Sequence, residues 1–527
     1  MDSSSNDSRN SSLNHEYISE EQSDYLISSD EQEDEHELPV FDPFYSSDEQ
    51  ESPRKRIKRT YVDRITNLPD ALITQILSLL PVETAMKTQL LSKRWRYLWA
   101  SSPVLTFSPK SSNEFITNTL MLHKGQLNTL SLAKIEGYND LEPPTNLWLQ
   151  CAVNKQIEVL VLEIDRYENS YPLPHSFFSC DSLKELSLSA SKFDWGHFSV
   201  FWKSLKKLSL ENIRNLFNEK IHKIIEGSPG LESFNLSHCA GFSRINVSSS
   251  CKLRNLVINY CGNRYDDDAD RSDKSLEISG PNIRSLEISG YMEWQNCRLK
   301  DVSSLVQVNF RFYASKLDVY HRDYNLNLSD AASKMMHLLV RNISHVEKLS
   351  LGSWCTQVLS ICELEGEPTI PLQCKTLEIL SLNERSIPGI ARLLRSAHSL
   401  ERLTIDTEPF QPHLDYHEVE NPTVLKDFNC ENYWKSSERA AFNNPWQHLK
   451  VVQFIRLFDI METKYMTELA EYVLDHAKVL EKLVLKAGEG TYRQSRSSDL
   501  RHSSLFQIML KLLSCPRCSH HARVLLL

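Results

Sequence analysis

The run LKKLSL at residues 205–210 decides how this chain is read. Its last two leucines, Leu208 and Leu210, stand two apart, so both fall on one face of a short strand. Leu205 sits on the turn entering that strand and closes the space beneath it. The spacing returns at Leu183/Leu186/Leu188, Leu231/Phe234/Leu236, Leu253/Leu256/Ile258 and Ile283/Leu286/Ile288. Further out it appears at Leu127/Leu130/Leu132 and Ile157/Leu160/Leu162 on the N-terminal side. On the C-terminal side come Leu305/Val308/Phe310, Val346/Leu349/Leu351, Leu377/Leu380/Leu382, Leu400/Leu403/Ile405 and Leu480/Leu483/Leu485. Neighbouring copies start mostly 22 to 31 residues apart. One copy cannot bury its own apolar edge, whereas stacked copies can, with a parallel sheet on one side of the coil.

Between copies, residues 216–227 (LFNEKIHKIIEG) and 387–396 (IPGIARLLRS) show helical periodicity suited to the other side of that coil. Cys239 and Cys261 follow their strands by three residues, which predicts buried thiols bonded to turn backbone rather than metal ligands or a disulfide. Two gaps break the period, 41 residues from Leu305 to Val346 and 49 from Leu400 to Leu449. The first contains a predicted helix over 330–343, and the second the polar stretch 409–422. Gaps of that kind map to loops, and loops often bind. The repeat resembles the irregular leucine-rich repeats found behind plant F-boxes, which run to about 20–29 residues.

Ahead of the array lies DRITNLPDALITQILSLLPVETAMKTQLLSKRWRYLWASSPVLTF at residues 63–107. Pro69 suits the first position of a helix, and Asp70 in the first turn complements the helix dipole. Leu72, Ile76, Leu79 and Leu80 recur at helical spacing, widened by Ile73 and Leu77. Pro81 ends that helix, a second segment follows over about 82–90, and a third over about 93–99 brings Trp95 and Trp99 to one face. Three helices in so short a stretch cannot bury all this apolar surface among themselves, so a face is left for a partner or the next domain. Leu68-Pro69, the apolar run, Pro81, Leu91-Ser92-Lys93-Arg94-Trp95-Arg96 and Trp99, in that order, resemble an F-box. The resemblance implies docking on a Skp-type adaptor and, through it, a cullin. Contact with the adaptor is transferred from it to Leu68, Pro69, Leu72, Ile76, Leu77, Leu80, Trp95 and Trp99; some of these must instead hold the helices together.

The two ends carry their own signals. Residues 1–52 hold sixteen acidic residues against the single Arg9, and residues 53–59 (PRKRIKR) add five cations. Residues 1–60 have little to bury and are expected to be disordered. SSDEQE occurs twice, at 28–33 and 46–51, and resembles acidophilic-kinase sites. Arg54, Lys55, Arg56, Lys58 and Arg59 resemble a nuclear import signal, with a charged linker as the other reading. From about residue 442 onward a strand within 444–459 (NPWQHLKVVQFIRLFD), a helix (463–477), a strand (480–485), a helix (505–513), Pro516-Arg517-x-Ser519 and an apolar end resemble the FBD domain of plant F-box proteins. His520, His521 and Arg523 make the last strand more basic than that pattern.

The expected architecture is therefore α/β: a disordered acidic segment over 1–60, a three-helix F-box over 61–108, an irregular leucine-rich-repeat solenoid over 109–430 and an FBD α/β segment over 431–527. The net charge is −10, but the residues beyond 59 balance to zero, which speaks against a large nucleic-acid surface. No apolar run approaches a membrane span, and twelve scattered cysteines suit a reducing compartment, so nucleus or cytoplasm is expected. Cys515-x-x-Cys518 with His520 and His521 is a solitary pair beside adjacent histidines and makes a poor zinc site. Asp266, Asp267, Asp268 and Asp270 lack the glycine and bidentate Glu of a calcium loop, and residues 488–490 are too short for a phosphate cradle. No catalytic residue, metal or cofactor is nominated. The function that the resemblance implies is substrate recognition in an SCF-type ubiquitin ligase, without chemistry in this chain. The alternative is a scaffold or regulatory repeat protein that serves no ligase.

Overall fold

In a computed structural model, the described residues are 65, 68–136, 144–165, 171–189, 193–194, 199–247, 251–262, 275–291, 296–313, 328–380, 382–406, 433, 446–457, 460–487 and 498–527. The acidic segment 1–60, the basic run 53–59, the aspartates 266–270, the polar stretch 409–422 and residues 488–490 all lie outside them.

The chain opens with two short α-helices, α1 (Asp70–Ser78) and α2 (Val82–Lys87). Each is entered from a proline: Pro69 and Pro81 are the N-caps, with ψ of 147° and 144°, just outside the helix. Pro81 thus both stops α1 and launches α2. The third helical segment, expected over 93–99, is a 3-10 helix, Trp95–Ser101. Its tighter pitch still turns Trp95 and Trp99 inward together.

Strand follows strand from there, with the first, β1 (Val104–Thr106), already inside the stretch assigned to the F-box. After α3 (Asn113–Leu122) comes β2 (Thr129–Glu136), and after α4 (Thr145–Asn154) come β3 (Val159–Asp165) and the short β4 (Tyr171–Pro172). Then follow β5 (Glu185–Ser189), β6 (Phe193–Asp194), β7 (Lys207–Glu211), α5 (Asn218–Gly227), β8 (Ser233–Ser237) and β9 (Arg244–Asn246). Next are β10 (Asn255–Asn259), β11 (Ser275–Ser279), β12 (Ser285–Tyr291), β13 (Asn296–Lys300) and β14 (Gln307–Tyr313). The middle ends with α6 (Leu328–Asn342), β15 (Lys348–Gly352), α7 (Ser353–Leu364), β16 (Thr376–Leu380), α8 (Ile387–Ser396) and β17 (Arg402–Asp406). The last elements are β18 (Val451–Leu457), α9 (Ile460–His476), β19 (Lys482–Ala487), α10 (Ser498–Ser514) and β20 (Arg523–Leu526).

Fifteen of these strands form one sheet, in the order β1-β2-β3-β5-β7-β8-β10-β12-β14-β15-β16-β17-β18-β19-β20. Every pairing in it is parallel, as at Leu208↔Phe234 and Leu210↔Leu236. Parallel neighbours need a crossover, and the described crossovers are built from helices, from the strands of a three-stranded sheet, β13-β11-β9, and from those of a two-stranded one, β4-β6. The apolar pair of each strand points into the coil; Leu208, Leu210, Phe234 and Leu236 are all at most 2% exposed. One core runs from Val82 to Val524 without a break. Cys239 and Cys261 are buried in it, their thiols donating to Leu210 O (3.3 Å) and Leu236 O (3.4 Å), as their place after the strand implied. Every described cysteine is a free thiol, and burial pushes the Cys297 and Cys355 thiols up to about 12.

Two sequence assignments change. Leu377/Leu380/Leu382 is out of register: Leu349 pairs with Leu377 and Leu351 with Ile379, so that rung is Cys374/Leu377/Ile379, with Cys374 buried. Leu449/Val452/Phe454 is a further rung, paired Leu403↔Val452 and Ile405↔Phe454. Strands β18, β19 and β20 continue the same sheet. In that last part Arg517 and Ser519 have structural tasks. The Arg517 guanidinium donates to Ala522 O (2.7 Å), and the buried Ser519 hydroxyl donates to Leu480 O (2.7 Å), fixing the approach to β20.

Candidate functional site

The N-terminal helices have a small core of their own: Ile73, Leu77, Ala85, Trp95, Trp99 and Ala100, with Leu68, Leu80, Met86 and Leu98 packed against it. Helix α2 joins this knob to the solenoid, because Ala85 belongs to the small core while Val82 belongs to the large one and Met86 touches both. Glu83 fastens the same joint. Its carboxylate accepts from Ser108 N (3.1 Å), from the Ser108 hydroxyl (3.1 Å) and from the Ser111 hydroxyl. Burial pushes this carboxyl up, but the hydrogen bonds from Ser111, its own backbone and Ser108 together outweigh it, and its pKa lies below the ordinary value. On the outside, the Arg94 guanidinium ties the third segment to the start of α1, donating to Asp70 Oδ1 (2.7 Å) and Leu68 O (2.5 Å).

The eight residues put forward for docking separate into three sets. Leu77, Trp95 and Trp99 are 1%, 5% and 8% exposed and hold the knob together from inside. Leu68 and Leu80 are half-buried at its edge. Pro69, Leu72 and Ile76 face solvent, the last two at 45% and 42%. Leu79, one turn past Ile76, completes that row and is 84% exposed. The 3-10 turn after α2 adds Leu90 and Leu91, 85% and 67% exposed, and Tyr97 stands out at 71%. Sequence reasoning left these four off the docking set. The signal was there in Leu79, because a helical stripe widened to six apolar positions exceeds what two short neighbours can cover. For Leu90, Leu91 and Tyr97 no periodicity marks them, since each lies in a turn or a 3-10 segment.

The knob can do one thing with such a surface. Several large apolar side chains held in water each favour burial by about 1.5–3 kcal/mol, and a rigid core beneath keeps their spacing fixed. Exposed apolar patches on soluble folds mark interaction sites. Among the described residues no group of three metal-ligating side chains converges; Cys518, His520 and His521 are exposed, and the Cys515 thiol donates to Lys511 O (3.3 Å). Among the described residues no helix is long and apolar enough to cross a membrane.

Comparison with known proteins fits this division. The F-box domain profile matches residues 65–107, and the family described as "At1g61320/AtMIF1, LRR domain" matches residues 120–513. F-box/LRR-repeat protein At5g02910 of Arabidopsis thaliana is 34% identical over 359 residues, 66% of this chain and 72% of that protein. F-box/LRR-repeat protein At3g03360 of the same plant is 30% identical over 356 residues, 65% of this chain and 70% of its own length. A further Arabidopsis relative is 29% identical over 436 residues, spanning 82% of this chain and 88% of that protein.

Proposed function

This chain belongs to the plant F-box/leucine-rich-repeat family, and we propose that it is the substrate-recognition subunit of an SCF-type cullin ubiquitin ligase. The observation that carries the reading is the exposed row Leu72, Ile76 and Leu79 on a helix whose other face, Ile73 and Leu77, is already buried. A Skp-type adaptor covers that row; the solenoid holds a substrate; the adaptor brings the cullin and the ubiquitin-carrying enzyme. This chain then acts by proximity, raising the effective concentration of substrate at a reaction performed elsewhere, and supplies no catalytic group or cofactor. The C-terminal rungs that resemble an FBD domain serve as part of the same recognition array. The basic run 53–59 directs the protein to the nucleus; a fluorescent fusion with those cations replaced by Gln would stay cytoplasmic.

Capture by a purified Skp-type adaptor tests the reading. Leu72→Asp with Leu79→Asp should weaken capture by at least about tenfold, roughly 1.4 kcal/mol, with the melting temperature of the chain unchanged. Undiminished capture by that variant, or no capture of the wild-type chain, would remove the ligase reading and leave the scaffold reading.

A further inference from the structure

One repeat position runs along the whole sheet as a ladder, each residue's N–H donating to the carbonyl of its counterpart one strand back. Lys184 donates to Glu158 (2.7 Å), Glu232 to Lys206 (2.8 Å), Arg254 to Glu232 (2.9 Å), Arg284 to Arg254 (2.8 Å) and Val306 to Arg284 (2.8 Å). Side chains on this ladder are paired by charge across the rungs: Lys184 with Glu158 at 2.7 Å, Lys206 with Glu232 at 3.8 Å, Lys375 with Glu347 at 3.8 Å and Lys450 with Glu401 at 3.2 Å. Arg254 and Arg284 break the rule. They are exposed, they are direct neighbours on β10 and β12, and among the described residues neither has a carboxylate within ion-pair distance. Like charges on adjacent strands repel; Lys184 and Lys206 are also adjacent but each is ion-paired to a glutamate on its other side, whereas the rung after Arg284 is Val306 and the glutamate before Arg254, Glu232, is paired with Lys206.

The far ends of the same strands carry a second irregularity. His238 (φ 52°), Tyr260 (φ 50°) and Gly290 (φ 124°) occupy one repeat position, just past the core pair of β8, β10 and β12, in the left-handed region. Such backbone is uncommon for bulky side chains. It is held by N–H bonds to the next strand, His238 to Asn259 O (2.8 Å) and Tyr260 to Ser289 O (2.7 Å). A Cβ at Gly290 would lie 2.7 Å from Tyr260 Cα. Without that atom the aromatic rings close up: His238 stacks on Tyr260 at 5.2 Å and 8°, and Tyr260 on Tyr313 at 6.1 Å and 7°. The stack ends on the N-terminal side at the exposed His238, because the preceding rung has Asn212 there. Between the arginines and the rings the strands show Asn255, Asn259, Ser285, Ser289 and Gln307, with Glu287 as the carboxylate among them.

We propose that the solvent face of β8, β10, β12 and β14 binds an extended segment of a substrate polypeptide, its acidic side chains on Arg254 and Arg284 and an aromatic side chain stacked against His238. Charge complementarity names the occupant: two guanidinium forks without a carboxylate within ion-pair distance match carboxylates bidentately, and the mainly amide- and hydroxyl-bearing middle accepts a polar backbone. From Arg254 to Tyr260 is six strand residues, about 20 Å at 3.3 Å each, so the acid and the aromatic stand about six residues apart. This rests on the substrate-recognition reading above and adds the class of segment recognised.

The test uses the full chain bound to a Skp-type adaptor, panned against a library of random twelve-residue peptides displayed on phage. Wild-type protein should enrich peptides with acidic residues followed, about six positions later, by an aromatic. Arg254→Glu with Arg284→Glu should cut recovery of those peptides at least about tenfold. His238→Ala should relax the aromatic position while the acidic preference remains. The three side chains are exposed, so all variants should melt with the wild type. No enrichment, a different motif, or equal recovery by the arginine variant overturns the proposal. Adaptor capture in the same preparations reports separately on the ligase reading; its loss there would sink that reading while peptide selection is still read out.

Discussion

The helical knob and the solenoid use the same leucine-rich chemistry and end up on opposite sides of the water. In the solenoid Leu130, Leu160, Leu188, Leu210, Leu236 and Leu349 are all 0% exposed. In the knob Leu72, Leu79, Leu90 and Leu91 range from 45% to 85% exposed. The difference is geometric. A rung has a neighbour above and below, so whatever it cannot cover alone the next rung covers. The knob is a single layer of short helices joined to the array along α2 and at Ala100, whose carbonyl accepts from Lys124 N and Gly125 N, and among the described residues nothing stacks upon its outer face. Solenoid leucines are therefore spent in folding, whereas the exposed knob leucines stay in water, where the proposed adaptor would cover them.

That contrast can be broken by substitution, and the largest effect should come from the array. Phe234→Ala, at a 0% exposed rung position, should cost about 3–5 kcal/mol, read as a lower midpoint in chemical denaturation. Leu77→Ala inside the knob should cost about 2–5 kcal/mol, seen as earlier loss of knob protection in hydrogen exchange, and should weaken adaptor capture only through that unfolding. Gly290→Val meets both a 124° φ and the 2.7 Å approach to Tyr260, and should cost about 1–3 kcal/mol for the backbone alone. Leu79→Asp should leave stability within about 0.5 kcal/mol and reduce adaptor capture; a large fall in melting temperature would mean that Leu79 belongs with the solenoid set.

The joint between the two regions offers a finer probe. The Glu83 carboxyl has its folded pKa below the ordinary value, on balance of burial against hydrogen bonds from Ser111, its own backbone and Ser108. A depressed carboxyl stabilises the fold above its unfolded pKa, and that contribution is lost as pH falls through the lower, folded pKa. Melting temperature against pH should therefore drop more steeply below the ordinary glutamate range for the wild type than for Glu83→Gln. Parallel curves would assign the joint to Val82 and Met86 alone. Smallest of all, Arg94→Ala removes an exposed ion pair with Asp70 (2.6 Å) and should cost no more than about 1 kcal/mol.

Several local boundaries were readable in the sequence alone. Pro69 and Pro81 placed the helix boundaries, and α8 begins and ends at the residues that its periodicity marked, Ile387–Ser396. The division of the docking set was not readable. Ile73 and Ile76 have the same side chain three residues apart, yet one is 0% and the other 42% exposed; which of them turns inward depends on where Trp95 and Trp99 arrive. The rung at Leu377 failed for a related reason. Leu377, Ile379, Leu380 and Leu382 contain the spacing twice, and only pairing with Leu349 and Leu351 selects one register. Leu449/Val452/Phe454 has the same residue types as the recognised Leu305/Val308/Phe310, but it follows a 49-residue interval from Leu400 that breaks the period.

The sequence by itself determined that this chain is a stack of leucine-closed strands behind a short helical knob, because spacing along a chain dictates which side chains share a face. The folded structure alone decided which apolar residues of the knob remain in water and which strands neighbour one another. It also brought two arginines thirty positions apart to adjacent rungs beneath a row of stacked rings. Those outcomes depend on contacts between residues distant in the chain, and periodicity carries no information about them.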